Sequence, residues 1–197
     1  MTYLEALEIQ KKRFSKTPKD QLRLMHQEKV VEMALFLNDK YQLGLDEEKI
    51  KLAGILHDYC KVDSDEVILA KLVKYEKDAL KKYQAYLPVV HGILAYYEVQ
   101  EDLGINDPEI LNAIRYHTTG RISMSPMEIL IYVSDAVEET RTYPNCKFYR
   151  ESVMQDFYHG FFTILKGTYF HLLDKGLPIE KNTKEAYLYY KEQFNEF

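Results

Sequence analysis

Leu52-Ala53-Gly54-Ile55-Leu56-His57-Asp58-Tyr59-Cys60-Lys61 is the stretch on which the fold of this chain turns. Its first five residues are apolar or small and read as the buried face of a helix, yet the run ends in an adjacent histidine and aspartate. Both are costly to remove from water unless something pairs with them. His26 lies upstream, and His91, His117 and Asp135 lie downstream. Asp135 poses the same problem, because it sits inside Ile129 to Val137, a run that is apolar on nearly every side of a helix. One metal cluster gathered from several helices answers both, and these six residues are its expected ligands.

Around this stretch the spacing is helical. Residues 2–14 read as a short amphipathic helix with Leu4, Leu7 and Ile9 inward, interrupted at Pro18. From about Asp20 to Tyr41, residues Met25, Val30, Met33, Leu37 and Tyr41 fall near one stripe. Asp46 is the expected N-cap of a helix running through about Lys61, with Glu47 and Glu48 suited to its first turn. Residues 65–87 are more polar and suit short helices. Pro88 opens a helix holding His91 in its first turn, and Pro108 opens another that carries His117 and ends at Gly120. Ser125-Pro126-Met127-Glu128 has the spacing of a capping box. Residues 141–147 read as a loop, about 149–175 as one long helix, and a last helix starts near Thr183. The expected class is all-α, one domain over residues 1–197, with a core at about 20–142 and a C-terminal helical extension at about 149–197.

Composition narrows the function classes. A formal charge of −5 gives no footprint for a nucleic acid polymer, though a local basic pocket for a phosphorylated ligand is compatible with it. No apolar stretch approaches the roughly 18 residues of a membrane span, and the N-terminus lacks the pattern of a signal peptide. Two cysteines, Cys60 and Cys146, form no CxxC pair and suit free thiols in a reducing compartment. The expectation is a cytoplasmic protein without a membrane partner. Whether it forms a homodimer stays open.

Four imidazoles and two carboxylates without a thiolate suit iron, manganese, zinc or cobalt better than a structural thiolate zinc site. Six ligands exceed the needs of one four-coordinate zinc and can hold two divalent ions if a carboxylate bridges. Asp58 is the natural bridge, since its neighbour His57 can serve one ion while Asp58 reaches both.

The order His…His-Asp…His…His…Asp is joined to Val90-His91-Gly92, to Asn112-Ala113-Ile114-Arg115-Tyr116-His117-Thr118-Thr119-Gly120-Arg121 and to Ile131-Tyr132-Val133-Ser134-Asp135. On these motifs the chain resembles, over about residues 22–142, the HD-domain metal-dependent phosphohydrolases. Within them it is similar to the bacterial YqeK-type symmetrical bis(5'-nucleosyl)-tetraphosphatases. The resemblance implies an HD-domain helical bundle in which His26, His57, Asp58 and Asp135 hold one ion. His91 and His117 hold the second, with Asp58 bridging, and iron is the implied metal. The implied reaction is cleavage of diadenosine tetraphosphate at its central anhydride to two ADP by a metal-activated water. Where the family continues after its last aspartate with a segment like Tyr-Ile-Glu-Pro-Asn-Arg, this chain has Ala136-Val137-Glu138-Glu139-Thr140-Arg141, and Gln27 replaces a small hydroxyl residue.

Asp58 and Lys61 are the expected catalytic residues. Lys61, one turn beyond His57, would meet a polyphosphate oxygen if the helix continues, or else pair with Asp63 or Asp65. Arg121 offers a planar donor fork to the same phosphates. Thr118 and Thr119 either bind phosphate or cap the helix end. Glu138 and Arg141 either close the substrate pocket or form an ordinary ion pair. Two other functions stay in view: an HD phosphohydrolase acting on a nucleoside monophosphate or guanosine alarmone, and a non-catalytic HD module that binds a nucleotide and signals to a partner.

Overall fold

Thr2, Thr17, Asp46, Ser64, Asp107, Ser125, Asp156 and Glu180 each accept a backbone N–H with their side chains and start a helix. The computed structural model describes residues 1–194; the last three residues of the expected extension, 195–197, lie outside the described residues. Among the described residues there are eleven α-helices and no strand. They are α1 (Tyr3–Arg13), α2 (Pro18–Lys40), α3 (Glu47–Leu56), α4 (Asp65–Leu72), α5 (Ala79–Tyr83), α6 (Val90–Leu103), α7 (Pro108–Tyr116), α8 (Pro126–Val137), α9 (Cys146–Gln155), α10 (Phe157–Asp174) and α11 (Lys181–Gln193). The class is therefore all-α. No helix among the described residues is long and apolar enough to cross a membrane.

The apolar run around Asp135 becomes α8, whose residues Met127 to Ser134 and Val137 are buried. It packs against α2, α3, α7, α9 and α10, so it forms the axis on which the other helices converge. Its Ser125 cap and Glu128 complete the expected capping box.

Two glycines set how closely the ligand-bearing helices approach. A Cβ on Gly54 would lie 2.8 Å from Val31 Cγ2, so glycine lets α3 lie against α2 and brings the His57 ring to within 5.3 Å of His26. A Cβ on Gly92 would sit 3.0 Å from the Ile114 carbonyl and 3.1 Å from His117 Cε1. That absent side chain lets α6 reach the end of α7, where His91 meets His117.

Three expectations need correction. The helix expected through Lys61 stops at Leu56, and residues 57–61 form tight turns with the Tyr59 N–H on the Leu56 carbonyl and the Lys61 N–H on the Asp58 carbonyl. The single helix expected over about 149–175 is two, because Asp156 adopts an extended backbone (φ −153°, ψ 122°) and caps α10. Finally, Leu4 is 69% exposed; Leu7 and Ile9 are half-buried against the core as expected, and the fully buried positions of α1 are Ala6 and Gln10. The Gln10 amide is held by Gln27 and the Ile55 carbonyl, a polar pairing that hydrophobic periodicity does not register.

Candidate metal centre

The end of α3 and the end of α7 are built alike. Each helix finishes at a histidine whose Nδ1–H donates to the carbonyl three residues back: His57 to Gly54 and His117 to Ile114, both at 2.7 Å. This bond fixes the ring and leaves Nε2 with its lone pair directed away from the helix. Early termination of α3 thus turns His57 and Asp58 inward rather than along a helix surface.

Asp58 Oδ1 is the focus. It lies 3.1 Å from His91 Nε2, 3.5 Å from His117 Nε2, 3.6 Å from His57 Nε2 and 3.7 Å from Lys61 Nζ. His91 Nε2 and His117 Nε2 face each other at 3.0 Å. His57, Asp58, His91 and His117 are all buried. Nevertheless Asp58 Oδ1 and His57 Nε2 have no aligned hydrogen-bond partner. A buried polar atom left this way costs about 1–3 kcal/mol, and a cation is what the donor set as a whole would accept.

His26 and Asp135 complete the second side. His26 Nε2 lies 3.0 Å from Asp135 Oδ1, and Asp135 Oδ1 lies 3.8 Å from His57 Nε2. Three overlapping triads can bring single ligand atoms within 4.8 Å of one another: His26, His57 and Asp58; His57, His117 and Asp135; and Asp58, His91 and His117. The six expected ligands are thus one cluster, and Asp58 belongs to two of the triads. The imidazole and carboxylate donors fit a hard or borderline divalent ion.

The electrostatics of His57, His91, Asp58 and Asp135 suit ligation, whereas His26 would have to give up a proton to a metal. Burial pushes His57 down to about 3 and His91 to about 4, so both rings are neutral at physiological pH. Burial opposes the charge of Asp58, but the adjoining His57, the Lys61 ammonium and the close His117 and His91 rings outweigh it and hold the carboxyl well below its usual range. Asp135 is held down in the same way, against burial, by Arg141 and His26. Burial disfavours a charged His26, yet hydrogen bonds with Asp135 and Glu138 overcome it and raise that ring to about 9.

The remaining expected site residues separate into two groups. Lys61 faces Asp58, and Thr118 Oγ1 is buried without a partner beside His117. Arg141 donates to the Asp135 carbonyl at 2.8 Å and closely to its carboxylate. These three adjoin the ligand cluster. Glu138, fully buried, accepts His26 Nδ1–H at 3.1 Å and both the N–H and the hydroxyl of Thr140, so it orients the His26 ring at the edge of a small cavity. Arg121, expected on phosphate, closes its fork on buried Glu128 at 2.6 and 2.8 Å and so braces the α8 cap. Thr119, also expected there, is buried and donates to the Gly120 carbonyl.

Arg23, one turn before His26 and expected either to close the pocket or to form a helix-face ion pair, does neither: its guanidinium holds the Lys61 carbonyl and so fixes the turn carrying Asp58. The sequence leaves open whether the C-terminal extension reaches the pocket, and here it supplies a wall. A cavity of about 740 Å³ opens beside His117, Thr118 and Asp135, and its far side is α9, α10 and the loop at 143–145. A smaller cavity of about 260 Å³ lies by His26, Glu138 and Arg141. Cys60 takes no part: its thiol is buried against Glu98, and burial with that carboxylate pushes it well above its ordinary value.

Comparison with known proteins agrees with this geometry. A family model described as the HD domain matches residues 23–140. A protein of Halalkalibacterium halodurans named bis(5'-nucleosyl)-tetraphosphatase, symmetrical, is 34% identical over 84% of this chain and 87% of its own length. A Staphylococcus aureus protein of the same name is 33% identical over 91% and 92%. Among solved structures, one from Clostridium acetobutylicum, described as a predicted HD superfamily hydrolase involved in NAD metabolism, superposes with a TM-score of 0.83. It is 26% identical and covers 98% of both chains.

Proposed function

Because this chain belongs to the HD-domain hydrolases, in the family of the symmetrical bis(5'-nucleosyl)-tetraphosphatases, we propose that it cleaves diadenosine tetraphosphate at the central anhydride to two ADP. The observation that carries this reading is Asp58 Oδ1: a buried carboxylate oxygen surrounded by three imidazole nitrogens and one ammonium, with no aligned hydrogen-bond partner.

In this reading His26, His57, Asp58, His91, His117 and Asp135 hold two divalent ions, iron first among them. Bound there, divalent ions would supply Lewis-acid chemistry that activates water as the nucleophile and offsets phosphate charge. The protein does the rest by position. The Gly54 and Ile114 carbonyls lock His57 and His117 with Nε2 inward, and Glu138 does the same for His26 through Nδ1. Asp58, kept ionised, would orient the attacking water by accepting its hydrogen bond. The Lys61 ammonium, 3.7 Å from Asp58, offsets charge on an equatorial phosphate oxygen. Arg141, beside Asp135, and the unpaired Thr118 hydroxyl, beside His117, would receive the flanking phosphates.

The test is product analysis with metal-loaded protein and diadenosine tetraphosphate. ADP as sole product supports the proposal. AMP with ATP places the attack elsewhere, and no turnover with Fe²⁺ under reducing conditions contradicts it.

A further inference from the structure

The 740 Å³ cavity has two unlike walls. One belongs to the ligand-bearing core: His117 and Asp135 at the inner end, with the partnerless Thr118 hydroxyl beside them. The other is outside the stretch matched by the HD-domain model and carries three aromatic rings, Tyr143, Tyr149 and Phe170, among polar and aliphatic residues. The Tyr143 and Tyr149 rings lie 6.3 Å apart, and the Tyr143 hydroxyl is tied to the Ala136 carbonyl at 2.6 Å, one residue past Asp135. The loop wall is thereby fastened to the ligand-bearing helix. The size is that of a small-molecule site, roughly 300–1,000 Å³.

Gly167 of α10 sets the depth of this wall. A Cβ there would fall 1.9 Å from the Tyr149 hydroxyl, so the tyrosine occupies the space a side chain would need. A larger residue at 167 would have to displace the Tyr149 ring from this wall. With the ligand cluster and the Thr118 hydroxyl at one end and Tyr143, Tyr149 and Phe170 at the other, among the polar side chains of Asn145, Thr168, His171 and Asp174, the pocket is matched to a phosphate chain ending in a nucleobase, whose π-face stacks on such rings and whose edge carries hydrogen-bonding groups.

We propose that the C-terminal extension is the nucleoside-recognition half of the site: Tyr143, Tyr149 and Phe170 stack one nucleobase of the substrate, and Gly167 sets the room for it. This rests on the reading that a nucleoside polyphosphate is the substrate. It assigns base recognition to residues beyond the HD core and leaves that core to hold phosphate.

Titration calorimetry on the full-length, Mn²⁺-loaded protein tests it, with ADP and inorganic pyrophosphate as the two probes. Phe170→Ala, on a ring that is 39% exposed, and Gly167→Leu should each weaken ADP about tenfold or more, consistent with the loss of one base stack. Pyrophosphate affinity and metal content should stay at wild-type values. Phe170→Ala keeps the test decisive if Gly167→Leu folds poorly. ADP affinity unchanged in Phe170→Ala, or ADP and pyrophosphate weakened in parallel, overturns the assignment. Wild-type protein that releases AMP and ATP from diadenosine tetraphosphate would defeat the cleavage reading alone, because the contrast between ADP and pyrophosphate is measured without turnover.

Discussion

Removing the metal from this centre should lower its stability by an amount the buried atoms bound. His57 Nε2 and Asp58 Oδ1 are buried without an aligned partner. At about 1–3 kcal/mol each, roughly 2–6 kcal/mol depends on whether a cation satisfies them. Linkage gives an independent figure: a ligand at about 100 times its Kd stabilises the folded state by about 2.7 kcal/mol. A domain of this size moves its Tm by about 2–4 °C per kcal/mol, so Mn²⁺ at that concentration should raise Tm by about 5–11 °C over chelator-treated protein. Thermal unfolding followed by far-ultraviolet circular dichroism reads this directly. His159→Ala, on an exposed position of α10, should retain the full shift. A Tm that does not move while metal binds stoichiometrically would refute the reasoning, since binding would then not engage the two buried atoms.

Three further outcomes follow from the same geometry. Lys61→Met should leave metal content intact and lower kcat/KM by about 10²-fold, as loss of a charge-stabilising donor does; an unchanged rate removes Lys61 from the chemistry. Arg121→Ala strands buried Glu128 and should cost about 2 kcal/mol, seen as a fall in Tm, while the rate per metal-loaded molecule holds; the reverse pattern would return Arg121 to the phosphates. Metal-free protein should also lose stability in acid. His57 at about 3 and His91 at about 4 refuse protons that the unfolded chain takes up at about 6.5, so stability falls as pH drops below that point, by roughly 1–3 kcal/mol per unit. His26, raised to about 9, has the opposite sign: its contribution is whole below about 6.5 and is lost as pH rises through 9. Equal urea midpoints at pH 7 and pH 5 in chelator would contradict the acid-side loss.

What was legible in the sequence was the set of groups that could not be buried alone. His57, Asp58 and Asp135 stood out because each interrupts an apolar run, and the partners they required were few enough to name. Caps at Asp46 and Ser125 were legible for the same reason: a backbone donor needs a nearby acceptor, and that need is local. The ending of α3 at Leu56 was not legible, because the His57 bond to Gly54 competes with helix continuation only once the ring is buried. Glu138 met His26 across 112 residues, and Arg121 met Glu128 by a fork that composition alone would assign to phosphate. The α10 wall stayed open in the sequence because aromatic residues on a helix read as core until a cavity is seen beside them.

The most direct measurement of the proposed centre is metal content and turnover of diadenosine tetraphosphate taken together in His57→Ala and Asp58→Ala. Asp58 belongs to two of the three ligand triads, and so does His57. Both variants are expected to lose bound metal and turnover together, while far-ultraviolet circular dichroism still reports the helical fold. Wild-type metal content with a wild-type rate in either variant would contradict the assignment of that residue, and in both would dissolve the centre itself.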